Sequence, residues 1–156
     1  MRKSEREITD NIKINEIIAT CECCRIGFYD EGEVYILPMS FGFTDIDGER
    51  TFYFHSAKEG RKIELIARAP HVGFELDTNF SLETGDTACA TSAKYQSIIG
   101  TGKVSFVEGR EDKKAALIKL MEHNVGEGDW TFSDEHLDMT CVFKLDVEKL
   151  SCKERK

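Results

Sequence analysis

Three cations lie within five residues in the segment 53–62: Lys58, Arg61 and Lys62. Ser56 is followed three residues later by Glu59, which is typical of a capping box and predicts a helix with Ser56 as its N-cap. A helix N-terminus already carries partial positive charge, so unpaired cations are unfavourable there. A bound phosphate would make the same cations favourable. The segment therefore predicts an anion-binding site.

A second interpretation of this segment remains open. The helix start could be solvated, with its cations paired to Glu59 and Glu64 on the same helix. The overall charge bears on the choice, because the chain carries a net charge of −8 at pH 7. A cluster of cations is more informative in an acidic protein than in a basic one.

His55 ends the strand that leads into this segment, and it is the histidine best placed to take part in chemistry. A histidine at this position can hold or accept a proton near neutral pH. It can equally well hydrogen-bond the backbone at the helix start, and both roles remain open. The four histidines of the chain show no close ligand spacing, so no metal site is predicted.

The six cysteines are interpreted as free thiols, most of them buried. Cys21, Cys23 and Cys24 cluster without the C-x-x-C spacing or the second pair that zinc sites use. The charged N-terminus does not resemble an export signal, so disulfides are not expected either. A thiol-based redox or metal sensor at this cluster is the alternative.

Length and composition indicate a globular protein of one domain, residues 1–156, with 40% hydrophobic and 32% charged residues. The acidic balance argues against a nucleic-acid partner. No apolar run approaches the roughly 20 residues that span a bilayer, so no membrane partner is expected. The cytoplasm is the expected compartment.

The residue pattern predicts mainly antiparallel strands. Asp10 should cap a helix with Ile14, Ile17 and Ile18 on its apolar face. The six predicted strands cover residues 25–29, 34–43, 51–55, 71–77, 95–108 and 141–147, and two further helices cover 56–68 and 110–124. Residues 78–93 and 126–140 are predicted loops.

The strand 34–43 is apolar on both faces, so its second face must be covered by a ligand, a helix or another subunit. Pro38 cannot donate a ladder hydrogen bond, which predicts an edge or a bulge there. The fold class is α+β and mainly β: a six-stranded antiparallel barrel with peripheral helices.

Four segments in succession resemble a known family: Arg-Ile-Gly-Phe (25–28), Val-Tyr-Ile-Leu-Pro-Met-Ser-Phe-Gly-Phe (34–43), Tyr-Phe-His-Ser-Ala (53–57) and Gly-Arg-Lys-Ile (60–63). They resemble the flavin-binding split-barrel proteins related to pyridoxamine 5'-phosphate oxidase, and most of all the nitroimidazole-resistance (Nim) group. The resemblance covers about residues 6–149. It implies a split β-barrel, a homodimer, and FMN bound in the groove between the subunits.

The resemblance also implies the site residues. Arg61 and Lys62 match the positions that bind the FMN phosphate, while Ser56 and His55 match the strand end beside the phosphate and ribityl chain. The matching histidine of the Nim-like group lies in the active site, so His55 is also the catalytic candidate. The other implied flavin contacts are the backbone groups of Tyr35, Ile36, Leu37 and Pro38, the side chain of Ser97 and, from the partner subunit, Trp130.

The resemblance to the parent oxidase stops at the C-terminal segment 143–149. This segment reads Phe-Lys-Leu-Asp-Val-Glu-Lys, without the signature of basic and aromatic residues that holds pyridoxal phosphate in the parent oxidase, so vitamin B6 oxidation is not expected. The sequence therefore predicts an FMN-dependent oxidoreductase that takes electrons from NAD(P)H and reduces a small organic acceptor, with nitroaromatic and nitroimidazole compounds as candidates. The alternative is a non-catalytic flavin- or haem-binding protein of the same fold.

Overall fold

The computed structural model describes residues 4–156, which form four α-helices and eight β-strands. The strands are β1 (Glu7–Ile8), β2 (Cys24–Asp30), β3 (Glu33–Met39), β4 (Gly42–Ile46), β5 (Glu49–Ser56), β6 (His71–Glu83), β7 (Ser92–Phe106) and β8 (Cys141–Arg155). The helices are α1 (Asn11–Thr20), α2 (Arg61–Arg68), α3 (Arg110–Asn124) and α4 (Asp134–Met139). None of the helices between residues 4 and 156 is long and apolar enough to cross a membrane.

All eight strands belong to one antiparallel sheet in the order β3-β2-β6-β7-β8-β5-β4, with β1 paired to β8. Strand β8 lies inside the sheet, between β7 and β5. Strands β3 and β4 form its two edges and do not pair with each other within the described residues. The mainly β, α+β class with peripheral helices is confirmed, whereas the sheet is not closed and has eight strands, not six.

The two additional strands have separate causes. Strand β1 has only two residues, which is too short to show a period-2 pattern. The apolar run 34–43 divides at Ser40 and Phe41 into β3 and β4, because the chain turns there from one edge of the sheet to the other. Pro38 lies on β3, which pairs with β2 alone, so the predicted edge position is confirmed.

Half of the predicted loop 78–93 is a strand ribbon. Strand β6 continues to Glu83 and β7 begins at Ser92, with a register shift between Thr78 and Ser81. The ribbon extends past the core and residues 79–91 are all exposed, so no face of it needs apolar residues. The prediction also ended β8 at residue 147, whereas the strand continues to Arg155 and buries Cys152.

The main core lies between the inward faces of the strands and helices α1 and α2. Asp10 accepts hydrogen bonds from the backbone N–H groups of Ile12 and Lys13, and so caps α1 as predicted. The predicted bounds of α3 are also confirmed. The largest fully buried side chains are Phe28, Phe41, Phe52, Phe54, Phe143, Ile17, Ile18, Ile26, Leu65, Leu76, Ile98 and Leu145.

A buried polar network joins α1 to the hairpin of β4 and β5. The Arg50 guanidinium, only 6% exposed, donates to Asn15 Oδ1 at 2.8 Å and lies 3.2 Å from Asp45 Oδ2. Asp45 also accepts hydrogen bonds from Asn15 Nδ2 (2.6 Å) and from the backbone N–H of Gly48 (2.7 Å). Asn11 accepts from Arg50 as well. The network fixes the hairpin against the helix.

The opposite face of β2, β3 and β7 carries apolar side chains that no residue between 4 and 156 covers. Tyr29 lies opposite Val34 across β2 and β3, and Ile36 lies opposite Gly27. Tyr29, Val34 and Ile36 are each about two-thirds exposed, and Ile99 on β7 is about half exposed. We call Tyr29, Val34, Ile36 and Ile99 the outer apolar face.

Candidate functional site

The start of α2 differs from the predicted capping box. The helix begins at Arg61 with Gly60 as its N-cap, and Ser56 is the last residue of β5. Ser56 Oγ donates to the carbonyl of its neighbour Ala57 instead of accepting from the helix. Gly60 has φ +113°, which favours glycine, and no side chain caps the helix. The N-terminus of α2 is therefore open to an external acceptor.

Arg61 lies at this open helix start and is held by two residues of the β2–β3 hairpin. Its Nε and Nη2 donate to Asp30 Oδ2 at 3.0 and 2.7 Å. Its guanidinium carbon lies 4.7 Å from the centre of the Tyr35 ring, within cation–π range. The solvated-helix interpretation had Arg61 paired with a carboxylate of its own helix, but the partner is a carboxylate of β2.

Asp30 accepts from a second arginine, Arg68, at the other end of α2. The Asp30 side chain is 9% exposed, whereas the side chains of Arg61 and Arg68 are nearly half exposed. Hydrogen bonds from Arg61 lower the pKa of Asp30, and those from Arg68 act in the same direction. Asp30 is therefore an anion at neutral pH, shared by two arginines.

Sequence analysis missed Asp30 and Arg68, although both leave a signal. Cys24, Ile26 and Phe28 are the buried, alternating positions of β2, and Asp30 is the next position in that series. A carboxylate that continues a buried face needs a cationic partner. Arg68 follows Arg61 by seven residues, which is two turns of helix and places both on one face.

Lys62, His55 and Ser56 form the second part of the candidate site, where β5 ends. Neither Lys62 nor Lys58 has a carboxylate within ion-pair distance in the part of the chain that the structure describes. Desolvation lowers the pKa of His55, and the charges of His136 and Lys62 act in the same direction. His55 is therefore neutral at pH 7.

Ser56 also pairs across the sheet with Cys141 of β8. Burial raises the pKa of the Cys141 thiol, against the opposing effects of the Ser56 hydrogen bond and of nearby lysines that include Lys58 and Lys62. The structure thus brings both lysines near the end of β5, beside Ser56.

Strand β3 contributes backbone groups. Because β3 pairs only with β2, one row of its N–H and C=O groups has no partner strand among the described residues. Ile36 and Pro38 are exposed, and Tyr35 and Leu37 are half-buried. The four residues that sequence analysis assigned to a flavin ring, Tyr35, Ile36, Leu37 and Pro38, therefore lie on a free sheet edge.

Ser97 and Trp130 lie outside these two groups. Ser97 is in the middle of β7, opposite Asp77 of β6 and Lys153 of β8, and is half-buried. Trp130 lies in the segment between α3 and α4, where its indole N–H donates to the Gly126 carbonyl at 3.1 Å. Its polar group is thus used within its own segment.

One cavity among the described residues does not coincide with the candidate site. It has a volume of about 420 Å³ and lies beneath α3, and none of the predicted site residues lines it. A smaller cavity of about 270 Å³ opens near the end of β5, with Lys58, Cys141 and Val142 in its wall. A cofactor bound between two copies of a chain would not need a closed cavity in one copy.

The cysteine cluster is not arranged for thiolate chemistry. All six cysteines are free thiols. Desolvation raises the pKa of Cys21 to about 12 and raises that of Cys24 as well. Both thiols are therefore protonated at neutral pH, which disfavours a redox sensor. Within residues 4–156 no group of three or more His, Cys, Asp or Glu residues could hold a metal ion.

Comparison with known proteins agrees with the fold. Among solved structures, the chain is similar to a protein from Bacteroides thetaiotaomicron that has the provisional description of a 5-nitroimidazole antibiotic resistance protein. The two chains are 32% identical and superpose with TM-score 0.81, over 95% of this chain and 86% of that one. It is also similar to the flavocytochrome Anf3 from Azotobacter vinelandii, at TM-score 0.82 and 17% identity over 100% and 72% of the two chains. A FAD and heme binding protein from Mycobacterium smegmatis gives TM-score 0.82 and 13% identity over 97% and 74%.

The last two comparisons are below 25% identity and show the fold alone. A search of curated protein sequences found none that matches the chain. The family model described as pyridoxamine 5'-phosphate oxidase matches residues 10–154, nearly the whole length. This chain therefore belongs to the pyridoxamine 5'-phosphate oxidase family.

Proposed function

We propose that this chain binds FMN between the two subunits of a homodimer and acts as an oxidoreductase on a small organic acceptor. The observation that carries the proposal is the start of α2, where Arg61 and Lys62 stand at a helix N-terminus that no side chain caps. A phosphate is well matched to a guanidinium, an ammonium and free backbone N–H groups together.

The donors that Asp30 leaves on Arg61 are sufficient for a phosphate. A guanidinium has five N–H groups, and Asp30 takes one on Nε and one on Nη2. Both N–H groups of Nη1 and one of Nη2 remain, on a side chain that is nearly half exposed. Lys62 adds an ammonium without a carboxylate partner within the described chain. Arg61 and Lys62 would therefore hold the phosphate, with Ser56 beside it.

The free edge of β3 suits the flavin ring. Flavin rings require a flat apolar slot with a few backbone polar contacts. The unpaired backbone groups of residues 35–38 supply the polar contacts, and the exposed Ile36 and Pro38 supply apolar surface. Ser97 and the partner's Trp130 stay assigned to the flavin by family resemblance alone.

The homodimer would cover the outer apolar face. Tyr29, Val34 and Ile36 are about two-thirds exposed on neighbouring strands, and contiguous apolar surface of this kind marks interaction sites. From sequence, the run 34–43 required cover by a ligand, a helix or another subunit, and the family resemblance implied the subunit. A second copy seated there would bury the face and close the groove beside β3.

FMN, when bound, supplies hydride transfer from NAD(P)H to the acceptor. The chain would bind and orient it, and His55 would hold or accept a proton beside it. Because its pKa is lowered, His55 is neutral at pH 7 and one ring nitrogen is an acceptor. The 32% identity to the Bacteroides protein supports a nitroimidazole or another nitroaromatic compound as the acceptor.

The test is a titration of the purified protein with FMN, followed by visible absorbance and fluorescence quenching. We expect about one FMN per chain, and we expect the double variant Arg61→Ala/Lys62→Ala to lose it while keeping the fold. The matched control is Lys13→Ala/Lys119→Ala, which removes the same charge from half-exposed pairs on α1 and α3. Full FMN occupancy in the Arg61→Ala/Lys62→Ala variant would show that the phosphate assignment is wrong.

Catalysis is tested on the loaded protein without oxygen. NADH or NADPH should bleach the flavin, and 4-nitrobenzoate should restore its colour. Flavin that is stably bound but that neither nicotinamide reduces would favour the non-catalytic binding protein instead.

A further inference from the structure

Asp30 and the two arginines of α2 form an arrangement that the family resemblance does not assign. One carboxylate, 9% exposed, accepts hydrogen bonds from Arg61 through Oδ2 and from Arg68 through Oδ1. Both oxygens are used, on opposite sides of the same group. Asp30 therefore determines where the guanidinium of Arg61 lies.

The charges in this arrangement leave Arg61 available to an anion. Arg68 balances the charge of Asp30, so the group of three keeps a net charge of +1. Two further carboxylates, Glu31 and Glu33, lie 3.8 Å from Arg68 and Arg61. Both are more than 80% exposed, so solvent screens them and their pairing is weak.

The orientation of Arg61 is fixed from two sides. Asp30 holds its Nε edge, and the Tyr35 ring lies against its face at 4.7 Å. The donors that remain, on Nη1 and Nη2, share the edge that Asp30 does not hold. A free arginine side chain loses rotamer entropy when it is immobilised. Here most of that ordering is present before any ligand arrives, which favours binding.

We infer that Asp30 is a positioning residue for the cofactor phosphate: it holds Arg61 in place, and Arg68 keeps its negative charge from repelling the ligand. This inference rests on the proposed function. It predicts an effect on the phosphate alone, because Asp30 has no assigned contact with the flavin ring.

The experiment compares FMN with riboflavin, which has the same ring and no phosphate, on wild type and Asp30→Asn. The substitution keeps the shape and removes the charge. We expect the Kd for FMN to rise about fivefold to tenfold and the Kd for riboflavin to change less than about twofold. Glu31→Gln is the matched control, since it removes an exposed carboxylate from the same hairpin and should change neither constant.

Arg68→Gln provides the second measurement. It leaves the contact of Asp30 with Arg61 intact but removes the balancing charge, so FMN should again weaken selectively. It also keeps the inference testable if Asp30→Asn is too unstable to assay, which thermal unfolding would reveal.

The outcomes distinguish the two proposals. If the wild type binds FMN and the ratio of the Kd for FMN to that for riboflavin is unchanged in Asp30→Asn and Arg68→Gln, the positioning role is overturned. The proposed function is then left intact. Tighter FMN binding by Asp30→Asn would also overturn the positioning role, because Asp30 would then be a competitor of the phosphate. Wild type that binds neither flavin overturns both proposals.

Discussion

The Arg50 network provides a stringent test of how this fold is held together. In Asp45→Ala the Arg50 guanidinium, 6% exposed, keeps only neutral partners on Asn11 and Asn15. Asn15 Nδ2 and the backbone N–H of Gly48 also lose their acceptor. Removing one partner of a buried ion pair costs 3–5 kcal/mol in general. The surviving neutral contacts place this case at the low end, about 3 kcal/mol.

The measurement is the free energy of unfolding from urea denaturation at pH 7, followed by circular dichroism. Asp45→Ala alone should be less stable than the double variant Asp45→Ala/Arg50→Met by about 1 kcal/mol or more, since the double variant no longer buries an unpaired charge. Glu49→Ala is the control, because Glu49 is exposed on the same hairpin and should shift stability by less than about 0.5 kcal/mol.

The pH dependence gives the same network a second test. A hydrogen bond from Asn15 is the largest of the effects that lower the pKa of Asp45 in the folded state, and the charge of Arg50 adds to it. Stability from a lowered carboxyl pKa is fully present above the unfolded value of about 4 and is lost as the pH falls through the folded value. The stability difference between wild type and Asp45→Ala should therefore shrink below about pH 4. A loss under 1 kcal/mol at pH 7, or a double variant less stable than Asp45→Ala, would refute the reasoning.

Two further predictions concern packing and titration. In Gly42→Ala the new Cβ would lie 2.5 Å from the backbone nitrogen of Leu120 in α3, so the free energy of unfolding in urea should fall by about 2 kcal/mol or more. In Gly27→Ala the nearest atom lies at 3.7 Å, and the fall should be about 1 kcal/mol or less. Equal losses in the two variants would argue against the close packing of α3 on β4. The pKa of His55 in an NMR titration should lie below its ordinary value of about 6.5. His136→Ala should raise this pKa, because a neighbouring positive charge is removed. An unchanged His55 pKa in His136→Ala would show that His136 does not influence His55.

The elements that were predicted well are those whose sequence signals lie in residues close together in the chain. Helix α3 has its exact predicted bounds, and Asp10 caps α1, because both depend on apolar spacing and a local hydrogen bond. The ribbon of β6 and β7 was missed because its exposed residues have no buried face to impose alternation. The capping box at Ser56 failed because β5 continues through that residue, paired with Cys141 from the distant β8.

The candidate site was predicted in the same uneven way. The cluster of Arg61 and Lys62 at a helix start follows from adjacent residues, and the structure has both in the first turn of α2. The solvated-helix alternative paired the cations with Glu59 and Glu64, at most three residues from Arg61, whereas Asp30 lies 31 residues earlier in the chain. Such a pairing depends on how β2 and α2 pack, which no local pattern encodes.

The position of β8 has a consequence for how the chain folds during synthesis. This strand follows every other element in the chain, yet it lies between β7 and β5 and also pairs with β1. Until it emerges from the ribosome, β5 and β7 expose apolar side chains and unpaired backbone edges, which are prone to misassembly. The pairing of β1 with β8 also joins residues nearly the full chain length apart, and contacts of such high sequence separation slow folding. The nascent chain can therefore cover these edges only after β8 has been released.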